Sequence, residues 1–161
     1  MEKGLDVTWG GAKYNSTGMA GVGIGNVADC LYMIKHLCYD TKKVTTRELY
    51  DALKANWKGY EDLQRSILNE CKHYGNGYPE VDCWADWAAE VFANAVTACT
   101  GPRGKYAAGL YPVTTNVMFG YMTGATPDGR NAGQPLADGI SAMQGMDING
   151  PTAILSSVSK I

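Results

Sequence analysis

The chain has 161 residues, a net charge of -2, and a composition that is 45% hydrophobic and 19% charged. That is a globular composition with the length of one domain or a piece of a larger one; it argues against intrinsic disorder, and the lack of a long basic run argues against nucleic acid and anionic membrane as partners. No apolar run approaches the ~18 residues of a membrane span, and Met1-Glu2-Lys3-Gly4 lacks the apolar core of a signal peptide, so a cytoplasmic protein is expected.

The first 25 residues read as loop or short strand. Gly10-Gly11-Ala12-Lys13-Tyr14-Asn15-Ser16-Thr17-Gly18 is polar and non-periodic, and Gly21-Val22-Gly23-Ile24-Gly25 leads into a helix near Asn26. Val27, Cys30, Leu31, Ile34, Leu37 and Cys38 recur at steps of three and four, which predicts one buried face. Asn26 suits an N-cap and Asp29 the first turn. A second helix opens at Thr45, where Thr45 and Glu48 fit the reciprocal capping box. Leu49, Ala52, Leu53, Trp57 and Tyr60 form its apolar face. Gly59 marks the break before a third helix carrying Leu63, Ile67 and Leu68. His73 to Pro79 is a turn by composition. A fourth helix runs from about Glu80 to Ala98, with Val81, Trp84, Ala88, Val91, Ala95 and Cys99 at helical spacing.

The texture then changes. Gly101-Pro102-Arg103-Gly104 is a breaker. Leu110 to Phe119 is rich in β-branched and aromatic residues and predicts a strand, with Pro112 confined to an unpaired start or a bulge. From Gly120 to Gly150 there is no period, a long loop for a compact domain. Ala153 to Val158 reads as the start of another element. The 20 glycines are uneven: between Asn26 and Thr100 only Gly59, Gly75 and Gly77 occur. Two glycine-rich loop systems therefore flank a helical middle, where backbone must turn tightly or approach another surface.

Chemical motifs are sparse. Cys30, Cys38, Cys71, Cys83 and Cys99 include no C-x-x-C, and neither His36 nor His73 stands at metal-ligand spacing from them, so no metal site is assigned. Cys30, Cys38 and Cys99 read as small buried hydrophobes on helix stripes. Gly21-x-Gly23-x-Gly25 departs from a dinucleotide loop, because its third glycine is one position early and no convincing strand precedes it. Neither histidine belongs to a recognisable nucleophile motif. Trp57, Trp84 and Trp87 read as core or interface anchors.

Taken together, several collinear stretches carry a resemblance. They are Gly10-Gly11-Ala12-Lys13-Tyr14-Asn15, Tyr74-Gly75-Asn76, Gly124-Ala125-Thr126-Pro127-Asp128-Gly129-Arg130, Gly133-Gln134-Pro135-Leu136-Ala137-Asp138-Gly139, Asn149-Gly150-Pro151-Thr152-Ala153 and Ser157-Val158-Ser159-Lys160. In order and over essentially the whole chain, the sequence resembles the glycyl radical enzymes of the pyruvate formate-lyase-like superfamily. Pro135 to Gly139 looks more like the diol dehydratase and choline trimethylamine-lyase side than like pyruvate formate-lyase itself.

The resemblance implies an α/β fold: part of a ten-stranded α/β barrel, with a helical middle and long glycine-rich loops. Residues 1–161 would be an interior segment of that barrel domain. The family's reactive cysteine sits in a Gly-Cys-Val-Glu-type loop, and its radical glycine in an Arg-Val-x-Gly-Tyr-type loop. Neither motif occurs here, so no residue is assigned a catalytic role and the chain alone is expected to be inactive. The full enzyme would carry a glycyl radical installed by an activating enzyme, a radical S-adenosylmethionine protein with an iron–sulfur cluster; this chain shows no cofactor motif of its own. The implied reaction is radical C–O or C–N cleavage of a small polyol or amino alcohol, in the cytoplasm or a bacterial microcompartment. Its implied partners are the missing barrel segments or sister chains, the activating enzyme and further copies in a homo-oligomer. On the predicted strand Tyr111, Val113 and Thr115 share one face, and the resemblance places that strand at the substrate pocket; ordinary barrel filling is the alternative for all three. Asp128 and Arg130 are expected to pin the long loop. A non-catalytic assembly or interaction protein that reuses the barrel segment is the second reading of the chain, and a nucleotide-binding module a third.

Overall fold

A computed structural model describes residues 4–161. Met1, Glu2 and Lys3, part of the stretch read for a signal peptide, lie outside the described residues. A 3-10 turn over Val7–Trp9, capped by the Asp6 side chain, precedes strand β1, Thr17–Ala20. Four helices follow: α1 Ile24–Ile34, continued by a π-helical turn over Lys35–Asp40, α2 Thr46–Lys54, α3 Glu61–Glu70 and α4 Pro79–Thr97. Strands β2, Thr100–Gly101, and β3, Gly104–Gly109, come next, then α5, Thr115–Met122, and α6, Pro151–Val158. No helix among the described residues is long and apolar enough to cross a membrane.

The sheet order is β1-β3-β2. β1 pairs parallel with β3, Gly18 opposite Ala107 and Ala20 opposite Gly109, while β2 closes a tight antiparallel hairpin onto Lys105 and Gly104. Parallel neighbours need a crossover, and here the four helices supply it. Paired residues face the same side of a sheet, so alternation gives β3 two faces. Ala108 and Leu110 turn toward α4, lining a cleft of about 430 Å³ with Ala89, Phe92 and Ala93. Gly18, Ala20, Ala107 and Gly109 turn the other way.

Two apolar clusters hold the helices. Ile24, Ala28, Tyr74, Val81, Ala85 and Ala88 join α1 to α4. Met33, Leu37, Leu49, Ala52, Trp57 and Ile67 join α1, its π-helical turn, α2 and α3. The Thr45–Glu48 capping box is present in full, with Glu48 N–H donating to Thr45 Oγ1 at 3.1 Å and Thr45 N–H to Glu48 Oε2 at 2.7 Å. Gly59 adopts φ +81° and breaks α2 from α3 as expected.

Three expectations are corrected. Leu110 to Phe119 is no strand: residues 110–113 are irregular and α5 takes over at Thr115. The strand lies one step earlier, in the Gly/Ala-rich β3. Second, α1 starts at Ile24, with Gly23 at φ +82° as its N-cap, and Asn26 is buried inside the helix. The buried face of α1 joins Ile24 and Met33 to the small and polar Gly25, Asn26, Ala28 and Asp29; of the expected stripe Leu37 is buried, Val27 is exposed, and Cys30, Leu31, Ile34 and Cys38 are half-buried. Third, the C-terminal half of α4 faces outward, so Val91, Ala95 and Cys99 are exposed. Trp57 is buried, but Trp87 is half exposed and meets Trp84 edge-on.

Candidate functional site

The polar stripe of α1 anchors the 126–137 loop and the 73–77 turn. Gly25 lets the stripe approach, since a Cβ there would fall 2.6 Å from the Ser141 carbonyl oxygen. Asn26 Nδ2 donates to Asp128 Oδ2 at 2.6 Å, and Asn26 Oδ1 accepts the Ala137 N–H at 2.6 Å. Asp128, fully buried, also accepts the Thr126 hydroxyl at 2.5 Å and the Arg130 N–H at 3.3 Å. Arg130 is 2% exposed, and its guanidinium donates to Thr126 Oγ1 at 3.1 Å, to the carbonyls of Asn131 at 3.1 Å and Gln134 at 2.7 Å, and to that of Gly124. Its own carbonyl accepts the Trp57 indole N–H at 3.2 Å. Burial lowers the Arg130 pKa against the opposing pull of Asp128. Every one of these donors is spent on backbone or on a neighbouring turn residue, so Asp128 and Arg130 pin the loop.

Three residues further along α1, Asp29 performs the same service for the 73–77 turn. Its Oδ1 accepts the Tyr74 N–H at 2.6 Å, and its Oδ2 lies 3.1 Å from His73 Nδ1. His73 Nε2 faces the Ile67 carbonyl at 3.0 Å, an acceptor only, so Nε2 carries a proton. The Nδ1–Oδ2 contact then needs one further proton, shared between imidazole and carboxyl. Burial pushes the Asp29 carboxyl up to about 6. Burial also works to lower the His73 pKa, but the Asp29 hydrogen bond and charge outweigh it and the imidazole titrates above its ordinary value. Next in the turn, Asn76 donates to the carbonyls of His73 at 3.1 Å and Met146 at 2.7 Å and accepts the Asn149 N–H at 2.9 Å. Gly77 N–H donates to Ser157 Oγ at 2.9 Å. His73 is thus a buried structural partner, and His36 stacks on Tyr32 at 5.4 Å.

The stretches that carried the resemblance therefore mate with one another: Tyr74-Gly75-Asn76 with Asn149, and the Thr126–Arg130 turn with Ala137 through Asn26. Asn26, Asp29 and Asn76 were not singled out as anchors from the sequence. Their signal was the Gly25-Asn26-x-Ala28-Asp29 stripe, polar and small on the face opposite the apolar residues.

The three expected pocket residues do not share a strand. Tyr111 is half exposed and its ring folds back over the sheet: a Cβ on Gly109 would fall 2.8 Å from Tyr111 Cδ1, and one on Gly18 would fall 3.6 Å from Oη. The ring thus lies on the face opposite α4. Val113 is half-buried in the link, and Thr115 is the exposed first residue of α5. Of the five cysteines, Cys99 lies in the link from α4 to β2, where its carbonyl accepts the Tyr106 N–H at 3.3 Å. Cys30 is in α1, where burial drives its thiol well above the ordinary range, and Cys83 is exposed on α4.

An α/β crossover with helices on one side, a bare sheet face on the other and long pinned loops is the architecture of a barrel segment. The pyruvate formate lyase-like family matches residues 1–120, and the chain belongs to that family. It is 38% identical over 162 residues to trans-4-hydroxy-L-proline dehydratase of Clostridioides difficile, covering all of this chain and 20% of the relative. A structure of hydroxyproline dehydratase from that organism superposes with a TM-score of 0.91 over 99% of this chain. The B12-independent glycerol dehydratase of Clostridium butyricum is 46% identical, with a TM-score of 0.87 over 94% of this chain and 19% of its own length. Isethionate sulfite-lyase of Bilophila wadsworthia is 42% identical over 141 residues. The chain thus spans about a fifth of the length of the first relatives it matches. These relatives are glycyl radical dehydratases and lyases of small substrates, and this α/β chain corresponds to a part of their barrel.

Proposed function

We propose that residues 1–161 form an interior segment of the barrel of a glycyl radical dehydratase or lyase that cleaves a C–O or C–N bond in a small polyol or amino alcohol. The observation that carries this reading is the near-complete superposition on a hydroxyproline dehydratase at 38% identity. In the complete enzyme the radical glycine supplies hydrogen-atom chemistry, and a radical S-adenosylmethionine activase with an iron–sulfur cluster installs it. We place both the glycine and the reactive cysteine on polypeptide other than these residues, and place the enzyme in the cytoplasm, as a homo-oligomer, with a bacterial microcompartment as its more specialised setting.

This chain's part is to shape the chamber. Helices pack outside such barrels, so the sheet face away from α4 is the interior. Tyr111 lies on that face and its hydroxyl is free to hydrogen-bond a substrate hydroxyl; Val113 limits the width of the pocket and Thr115 closes its end. The pinned 124–137 loop keeps that wall in place. The test is to graft residues 1–161 into the C. difficile dehydratase in place of the matching segment and assay the activated graft with trans-4-hydroxy-L-proline. Tyr111→Phe is expected to lower kcat/KM about tenfold, the scale of one lost hydrogen bond; unchanged kinetics would make Tyr111 ordinary filling. Turnover by the 161-residue chain as the sole protein would overturn the fragment reading.

A further inference from the structure

We infer that Gly109 is a positioning residue for Tyr111: its bare Cα seats the tyrosine ring flat on the open face of the sheet, with Gly139 holding the chain behind it, and that seat sets the depth of chamber left for a substrate. This deepens the function proposed above and rests on it.

Tyr111 stands in the irregular link after β3 and is 51% exposed, yet three glycines fix where it lies. A Cβ on Gly109 would fall 2.8 Å from Tyr111 Cδ1, so the ring occupies the space a side chain would take. Gly18 lies on the neighbouring strand, opposite Ala107 and so one step diagonal to Gly109, and a Cβ there would come to 3.6 Å from Tyr111 Oη. The ring therefore crosses from one strand to the next over a floor of two glycines. Behind it, a Cβ on Gly139 would fall 2.6 Å from both the carbonyl carbon and oxygen of Tyr111, and Gly139 itself adopts φ +53°. Gly139 is two residues past Ala137, whose N–H is accepted by Asn26 Oδ1. The anchoring of the loop on α1 thus reaches the main chain of Tyr111.

Glycine within a strand marks a close approach by a ring or a ligand. An aromatic ring laid over a strand glycine can also serve as cover alone. Cover needs only the ring, whereas here a hydroxyl rides on it with no hydrogen-bond partner among the described residues. The ring is immobilised from below and behind, and its phenol is left open on the face turned away from α4.

The graft described above tests this by a double-mutant cycle. Gly109→Ala puts a methyl where the ring lies, lifts the ring into the chamber and moves its hydroxyl. It should raise KM for trans-4-hydroxy-L-proline about tenfold, the scale of one misplaced hydrogen bond, with kcat little changed. In a Tyr111→Ala background the same methyl has no ring to lift and should change KM less than about twofold. Equal losses in the two backgrounds would mean that the strand itself needs glycine, and would overturn the inference. If Gly109→Ala alone abolishes cooperative melting of the graft, adding Tyr111→Ala should restore it, because the ring is what the methyl strikes; failure of both variants to fold overturns the inference too. An unchanged KM in a folded Gly109→Ala graft overturns the seat and leaves the family function standing. A graft that is inactive with the native segment overturns that function, and the inference with it.

Discussion

The Asp29–His73 pair gives stability an unusual dependence on pH. An unfolded carboxyl of this kind ionises near 3.8 and an imidazole near 6.5, whereas in the fold both hold their protons longer, Asp29 up to about 6. A folded state that binds more protons than the unfolded one loses stability as pH rises. The pair's contribution is therefore complete at acid pH. It declines first through about 6, as Asp29 ionises, and again through the raised value of His73. At about 1.36 kcal/mol per pH unit, the Asp29 window from 3.8 to about 6 amounts to about 3 kcal/mol. Asp29→Asn keeps the acceptor for Tyr74 N–H and places an amide N–H toward Nδ1, which favours neutral imidazole. Its stability should then fall as pH drops through the ordinary histidine range, reversing the wild-type slope. His73→Ala leaves the carboxylate buried without its partner and should cost about 3–5 kcal/mol at neutral pH. Urea unfolding followed by tryptophan fluorescence between about pH 5 and 8, the range over which histidine titrates, reads all three proteins. Parallel slopes for wild type and Asp29→Asn would refute the shared proton.

Gly120→Ala gains about 1 kcal/mol of helix propensity but drives a methyl into the Pro135–Leu136 backbone, a cost of about 1–3 kcal/mol or more; thermal melting should show a net loss, and a gain would mean that this backbone gives way. Arg130→Lys replaces a fork reaching three carbonyls and Thr126 by a point charge and should destabilise by about 2 kcal/mol or more, with faster hydrogen exchange confined to residues 124–134. Thr45→Ala removes one side of the α2 capping box and should cost about 1 kcal/mol in the same melt.

Much of the helical middle was legible because its signals are local. The capping box at Thr45, the break at Gly59 and the Leu49–Ala52 pair needed only their own neighbours, whereas Trp57, expected on the same helix, lies beyond the end of α2 at φ +66°. α5 was not legible for the opposite reason. Its Val-Met-Phe and Tyr-Met runs favour strand locally, but Gly120 and Asn116 fit a helix against Gln134–Leu136, and that contact outweighs propensity. β3 escaped because Ala107 to Gly109 has small side chains where strands usually carry branched ones; its pairing with β1 spans the whole helical crossover. α1 was found with its buried face displaced: Leu37 of the expected stripe is buried, but Val27 is exposed and Cys30, Leu31, Ile34 and Cys38 are half-buried. Periodicity marks the apolar stripe as buried, and here the stripe that packs inward carries Asn26 and Asp29, each satisfied by a loop far away in sequence. Tyr111 was singled out on a predicted strand that does not form, and it reaches the open sheet face by folding back over Gly109 instead.

Asn26 and Asp29 lie less than a helical turn apart, yet one anchors the Asp128–Ala137 chain and the other the His73–Asn76 turn. Both loops consequently hang from a single short yoke. Any displacement of that part of α1 must carry the two together, so slackness introduced at one loop is inherited by the other.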